Sequence, residues 1–104
     1  MTYYSRSLPH YRGTDIDNSK WLHRPGDVKS FSVKIVHVGR YGIGPDRSYQ
    51  HIMKDLDGNV ITFTAPWQVA DRMTSIEFTA RVYKHHLYKG VKQTVVRNMR
   101  LVKR

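Results

Sequence analysis

The sequence contains no cysteine, which excludes disulfide bonds, thiolate catalysis and cysteine-ligated zinc. It also has no apolar run near the roughly 18 residues that identify a membrane-spanning helix. The first residues lack the apolar segment of a secretion signal. We therefore expect a cytoplasmic protein with no membrane partner.

Acidic residues are scarce, and the last quarter of the chain has none. The 104 residues include 18 Lys and Arg against 8 Asp and Glu, a formal net charge of +10. Residues 27–77 carry six charges of each sign, whereas residues 78–104 carry eight basic residues and no acid. A basic segment without compensating acids indicates a phosphate backbone or another acidic surface as the partner.

The residue combinations of a catalytic or metal site are also missing. Glu77 is the only glutamate, no nucleophile stands beside a candidate base, and Gly42-Ile43-Gly44-Pro45 lacks the ending of a phosphate loop. Of the six histidines only His85 and His86 are neighbours, and adjacent strand residues point to opposite faces. Zinc requires three or four convergent ligands. We expect no enzymatic activity, no metal and no cofactor.

Alternation of apolar and polar residues predicts five strands in one domain, residues 27–104, preceded by an aromatic arm, residues 1–26. The strands are predicted over residues 28–38, 48–55, 60–65, 76–85 and 93–102, and Asp57-Gly58 predicts a tight hairpin between the second and third. Trp67–Met73 has room for one or two helical turns. This order favours an all-β fold, a small five-stranded OB-like Greek-key barrel with a short helical insert between strands 3 and 4 and an N-terminal extension. An SH3-like barrel is the alternative.

Basic and aromatic residues are interleaved in the two loops that flank the binding face of an OB-like barrel. A single-strand binder needs cations for phosphates and flat rings for unstacked bases. We expect the two loops to be adjacent in the fold. The candidate nucleic-acid-binding residues are Arg40, Tyr41, Arg47, Tyr49, Lys54, Phe63, Lys84, His85, Tyr88, Lys89, Lys92 and Arg97.

Each aromatic candidate also has a structural interpretation. The tyrosines could be half-buried lids of the barrel, and Phe63 could belong to the core, since phenylalanine is more often buried. Trp67, which follows Pro66 at a strand end, is expected to cap the core.

The segment Phe78–Val96 combines a basic strand, the Lys84-His85 pair, a Tyr88-Lys89-Gly90 turn and Lys92-Gln93-Thr94 entering the next strand. It is similar to the end of small phage and bacterial replication-associated proteins, in which such a segment closes an OB-like module. The resemblance covers residues 29–103. It implies handling of single-stranded nucleic acid in a bacterial or phage-infected cell, by a stand-alone binder or an accessory subunit.

The sequence thus predicts a non-enzymatic protein that binds single-stranded nucleic acid, with single-stranded DNA as the first choice. It would act by electrostatic capture and base stacking in phage or bacterial replication or recombination. The alternative is a protein-interaction adaptor or accessory subunit of a larger nucleic-acid machine, contacting its partner through residues 1–26.

Overall fold

Five strands follow the alternating apolar residues of the sequence. The computed structural model describes residues 19–102, so most of the predicted arm, residues 1–18, lies outside the described part. The strands are β1 (Val28–Tyr41), β2 (Ser48–Lys54), β3 (Val60–Ala65), β4 (Ser75–Tyr88) and β5 (Val91–Leu101). All five predicted strands are confirmed. The C-terminal ends of β1 and β4 each lie three residues beyond the predicted ends.

The strands form a closed barrel in the order β1-β2-β3-β5-β4. The first half of β1 pairs with β4 and its second half with β2, both antiparallel. β3 pairs antiparallel with β2 and parallel with β5. Because β4 returns to lie beside β1, strands 4-1-2-3 have the spatial order of a Greek key. The architecture is consistent with the OB-like barrel that the sequence predicts.

The connection between β3 and β4 differs from the prediction. Residues 66–74 form bends and turns, and the helical insert predicted there is absent. The backbone of this connection bonds to the barrel: the Val69 N–H donates to His51 Nε2 (2.9 Å), and the Met73 N–H donates to the Ile35 carbonyl (2.6 Å). A short 3-10 helix, Gly44–Asp46, lies in the β1–β2 loop.

Two apolar clusters stabilise the barrel. The main core lies inside it and comprises Phe31, Val33, Ile35, Met53, Ile61, Phe63, Ala65, Phe78, Ala80, Val82 and Val96. A second cluster joins Ile52, Val60 and Val91, with Val36 and Tyr88 packed against it. Ile52 and Val60 alternate with core residues along β2 and β3, so they belong to the outer face. The turn of the β4–β5 hairpin therefore covers an apolar patch outside the barrel.

The described end of the arm, together with Asp27, forms a strap, residues 19–27, that packs on the barrel. The Ser19 hydroxyl donates to the Lys92 carbonyl (2.6 Å) and accepts the Val60 N–H (3.0 Å), and Leu22 packs against the main core. Further along, the Gly26 N–H donates to the Val82 carbonyl (2.7 Å). The strap thus links β3, β4 and β5. Within residues 19–102, no helix has the length and apolarity needed to span a membrane.

His51 is fully buried between the barrel and the β3–β4 connection. Its Nδ1–H donates to the Phe63 carbonyl (3.1 Å), and its Nε2 accepts the Val69 N–H, an arrangement that requires the neutral ring. Burial lowers the pKa of His51 below its usual 6.5, against weaker opposing effects of the backbone at Phe63 and Tyr49.

The buried imidazole predicts a loss of stability in acid. The unfolded chain takes up a proton on this ring near pH 6.5, and the folded chain does so only at lower pH. The contribution of His51 to the free energy of unfolding is therefore complete above pH 6.5 and decreases as the pH is lowered further. The decrease is at most about 1.4 kcal/mol per pH unit. Urea unfolding from pH 7.5 to 5 should show a flatter dependence for His51→Gln than for wild type. His86→Gln, at an exposed position, should retain the wild-type dependence, and equal dependences for all three proteins would contradict the assignment.

Candidate nucleic-acid interface

The outer surface of β2, β3, β5 and β4 forms a groove of about 500 Å³, here named the β3–β5 groove. Most of the side chains in its floor and walls are polar, aromatic or basic, and two are valines. Among the described residues, those that line it include no acid: they are Gln50, Thr62, Thr64, Tyr83, Lys84, His86, Gln93, Val95, Val96 and Arg97. The groove can therefore offer cations, a ring and hydrogen-bonding groups to one ligand.

A β-bulge in β4 brings the ring of Tyr83 and the charge of Lys84 to the same groove. Val82 pairs with Val96 and Lys84 pairs with Val95, so Tyr83 is an extra residue on β4. A bulge sets two residues opposite one and re-aims side chains. Tyr83 and Lys84 consequently both line the groove, although adjacent residues of a regular strand would point to opposite faces.

Two arginines face each other across β4 and β5 at the end of the groove. Arg81 pairs with Arg97, and like charges directly opposite each other destabilise a sheet. Arg81 donates from Nη1 to the Gly26 carbonyl of the strap (2.9 Å), whereas Arg97 Cζ lies 3.4 Å from the centroid of the Tyr83 ring. A bound anion here would offset the repulsion between the two guanidinium groups.

The β1–β2 loop lies at the other end of β3 from the β4–β5 hairpin. Tyr49 pairs with Ala65 at the end of β3, whereas Val60 at its start pairs with Gln93. The six residues of β3 separate the two positions by about 17 Å at 3.3 Å per residue. The expectation that the two loops are adjacent is therefore wrong: they lie at opposite ends of the face that contains the groove.

The twelve predicted residues consequently divide among several places. Lys84 and Arg97 line the β3–β5 groove. Arg40 and Tyr49 line a separate cleft of about 540 Å³ that also includes Asp71 and Arg72. The side chains of Tyr41 and Arg47 are exposed beside it, at the β1–β2 loop.

Four predicted residues of the hairpin are engaged within the fold. The His85 ring stacks on Trp21 of the strap at 5.3 Å between centroids, and Lys92 Nζ lies 5.0 Å from the centroid of the same indole. Tyr88 packs on the second cluster, and Lys89 Nζ lies 5.4 Å from the Tyr88 centroid. His85 and Lys92 thus contact the strap, whereas His86, one residue along β4, lines the groove.

Two further predicted residues have surroundings that do not suit nucleic acid. Phe63 is 7% exposed within the main core, so its ring has no face for a base, and the core interpretation is the one the structure supports. Lys54 lines a third cleft that also contains Asp55 and Glu77, whose carboxylates would repel a phosphate.

Trp67 does not cap the core, contrary to expectation, since it is 60% exposed. Leu22, Val69 and Ala70 pack against the core in its place. Residues 66–74 turn without forming a helix, and Trp67 lies on the surface of this connection.

Tyr83 and His86 line the groove, although neither is among the twelve predicted residues. The signal was the run Arg81-Val82-Tyr83-Lys84, which interleaves basic and aromatic residues as clearly as the loops do. A regular strand separates Tyr83 from Lys84, and only the bulge brings them to one surface.

Comparison with known proteins gives no relative for this chain: no family model, no curated protein sequence and no solved structure matches it. The resemblance to replication-associated modules therefore stays a prediction.

Packing of Tyr88 on the second cluster predicts that it stabilises the hairpin. Tyr88→Ala should lower the free energy of unfolding by about 2–3 kcal/mol, because it leaves a cavity over the second cluster. Tyr41→Ala, at a 46% exposed side chain, should change it by no more than about 0.5 kcal/mol. Urea unfolding measures both, and equal losses would show that Tyr88 does not anchor the hairpin.

Proposed function

We propose that this protein binds single-stranded nucleic acid in the β3–β5 groove and performs no chemistry on it. Single-stranded DNA is the first substrate to test. The observation that carries the proposal is the lining of the groove, in which Lys84, Arg97 and Tyr83 converge without an acidic residue among the described residues.

Charge supports capture of the phosphate backbone. Lys84 and Arg97 line the groove, and Arg81 pairs with Arg97 at its end. Cations that neutralise phosphates release condensed counterions, which supplies most of the sequence-independent affinity. Arg40 and Arg47, near the other end of β3, would extend the same backbone path towards the β1–β2 loop.

The uncharged lining supports contact with unpaired bases. Tyr83 is 43% exposed and offers a ring. Gln50 and Thr64 of β2 and β3 offer an amide and a hydroxyl on the groove surface, and such groups bond the edges of splayed bases. In a duplex the bases are stacked and paired, so these contacts favour a single strand.

The barrel supports the same proposal at the level of the fold. OB-folds bind oligonucleotides on the face of strands 2 and 3, flanked by the loops after strands 1 and 4. The β3–β5 groove lies on this side of the barrel, between those loops. The resemblance to replication-associated proteins would place this activity in phage or bacterial replication or recombination. Fold alone does not determine function, so the groove residues carry the argument.

A protein-interaction adaptor is the second candidate, and one observation favours it. Leu56 is fully exposed in the β2–β3 turn and lines a cleft of about 650 Å³ that includes Val36 and Ile76. Apolar side chains around a cleft of mixed charge are typical of a protein contact.

Binding to a labelled single-stranded oligonucleotide, measured against salt, tests the first candidate. Contacts to about four to six phosphates predict a slope of log K against log salt of roughly −3 to −4. Lys84→Ala should reduce its magnitude by about 0.7, the value of one single-strand contact. Lys34→Ala should leave it unchanged, since Lys34 lies on β1, across the barrel from the groove.

A duplex of the same sequence is the matched competitor. It should bind more weakly than the single strand at every salt concentration. A flat salt response, or equal affinity for both forms, would remove this proposal and leave the adaptor as the better one.

A further inference from the structure

The guanidinium of Arg97 lies flat against the ring of Tyr83. Its Cζ is 3.4 Å from the ring centroid. That separation is typical of two stacked planar groups. An edge-on guanidinium would push its nitrogens into the ring, so the two planes are close to parallel. The arrangement covers one face of the Arg97 plane with the phenol ring.

The exposure of Arg97 allows a ligand to approach it from the side away from Tyr83. Arg97 is an exposed residue of the groove lining, and Tyr83 beneath it is part of the same wall. A guanidinium fixed on a ring is already ordered, so a ligand that stacks on it has less side-chain entropy to remove. Arginine planes stack on nucleobases as aromatic rings do.

We propose that Arg97 is a stacking plate for one unpaired base, held between that base and Tyr83. This inference rests on the proposed function and assigns Arg97 a role distinct from phosphate contact. Two further cations lie near the plate: Arg81 pairs with Arg97 across the sheet, and Lys84 Nζ lies 5.8 Å from the Tyr83 centroid. The phosphates that flank the stacked base would meet these two side chains.

The test is Arg97→Lys, which keeps the charge and removes the plane. A stacked base is worth about 1–3 kcal/mol, so affinity for a single-stranded oligonucleotide should fall by about five- to 150-fold. The salt slope should stay at the wild-type value, because the number of cations is unchanged. Arg100→Lys makes the same exchange three residues along β5, outside the groove lining, and should retain wild-type affinity.

Tyr83 supplies a second, independent pair of variants. Tyr83→Phe retains the ring and should retain affinity, whereas Tyr83→Leu removes the support for the plate and should lose affinity as Arg97→Lys does. Melting temperatures of all variants, measured in parallel, separate loss of stacking from loss of the fold.

An oligonucleotide that keeps its phosphates and sugars but lacks the bases isolates the contribution of the bases to affinity. On this strand wild type and Arg97→Lys should bind equally, because no base is present to stack. If Arg97→Lys binds the normal strand as tightly as wild type, or keeps its full defect on the abasic strand, the stacking role of Arg97 is wrong. Salt-dependent binding of the single strand by wild type would still support the proposed function in that case. If wild type binds no single strand at all, both proposals fail.

Discussion

The parallel pairing of β3 with β5 is the constraint on which the rest of this barrel depends. It involves four residue pairs, from Val60 with Gln93 to Phe63 with Val96. Parallel neighbours cannot be joined by a hairpin, so the chain passes through residues 66–74 and the whole of β4 before β5 returns alongside β3. That route closes the barrel and makes the outer faces of β2, β3, β5 and β4 one surface. The groove exists because this surface is continuous.

Basic residues are distributed along the chain so that closure of the barrel concentrates them in one region. The last acid, Glu77, lies near the start of β4, and the β4–β5 hairpin beyond it is basic throughout its described length. The two faces of the hairpin then have different uses. His85 and Lys92 meet the indole of Trp21 in the strap, whereas Lys84 and His86 face the groove. One segment therefore both fastens the strap and supplies the candidate interface.

Much of the fold was predictable, because strand formation is local. Period-two alternation and the Asp57-Gly58 turn gave β3 its observed bounds and β2 its bounds to within one residue. The groove was harder to predict, because it depends on irregularities. The bulge at Tyr83 changes which residues share a face, and propensity does not reveal a bulge. Val60 and Phe63 are both buried although they differ in parity, since the hairpin turn covers the outer patch and the main core encloses Phe63. Burial of this kind depends on contacts between residues far apart in the sequence, which the alternation along a single strand does not predict.

The strap also sets an order of events during synthesis. Ser19 bonds to the Lys92 carbonyl, a partner 73 residues further along the chain. At about 5–20 residues per second, a ribosome needs roughly 4 to 15 s to add that many residues. Throughout that interval Trp21 and Leu22 have no completed surface on which to pack, and the β1–β2–β3 meander has no strand to close it. The nascent chain thus exposes apolar side chains and an open sheet edge until β5 has been synthesised.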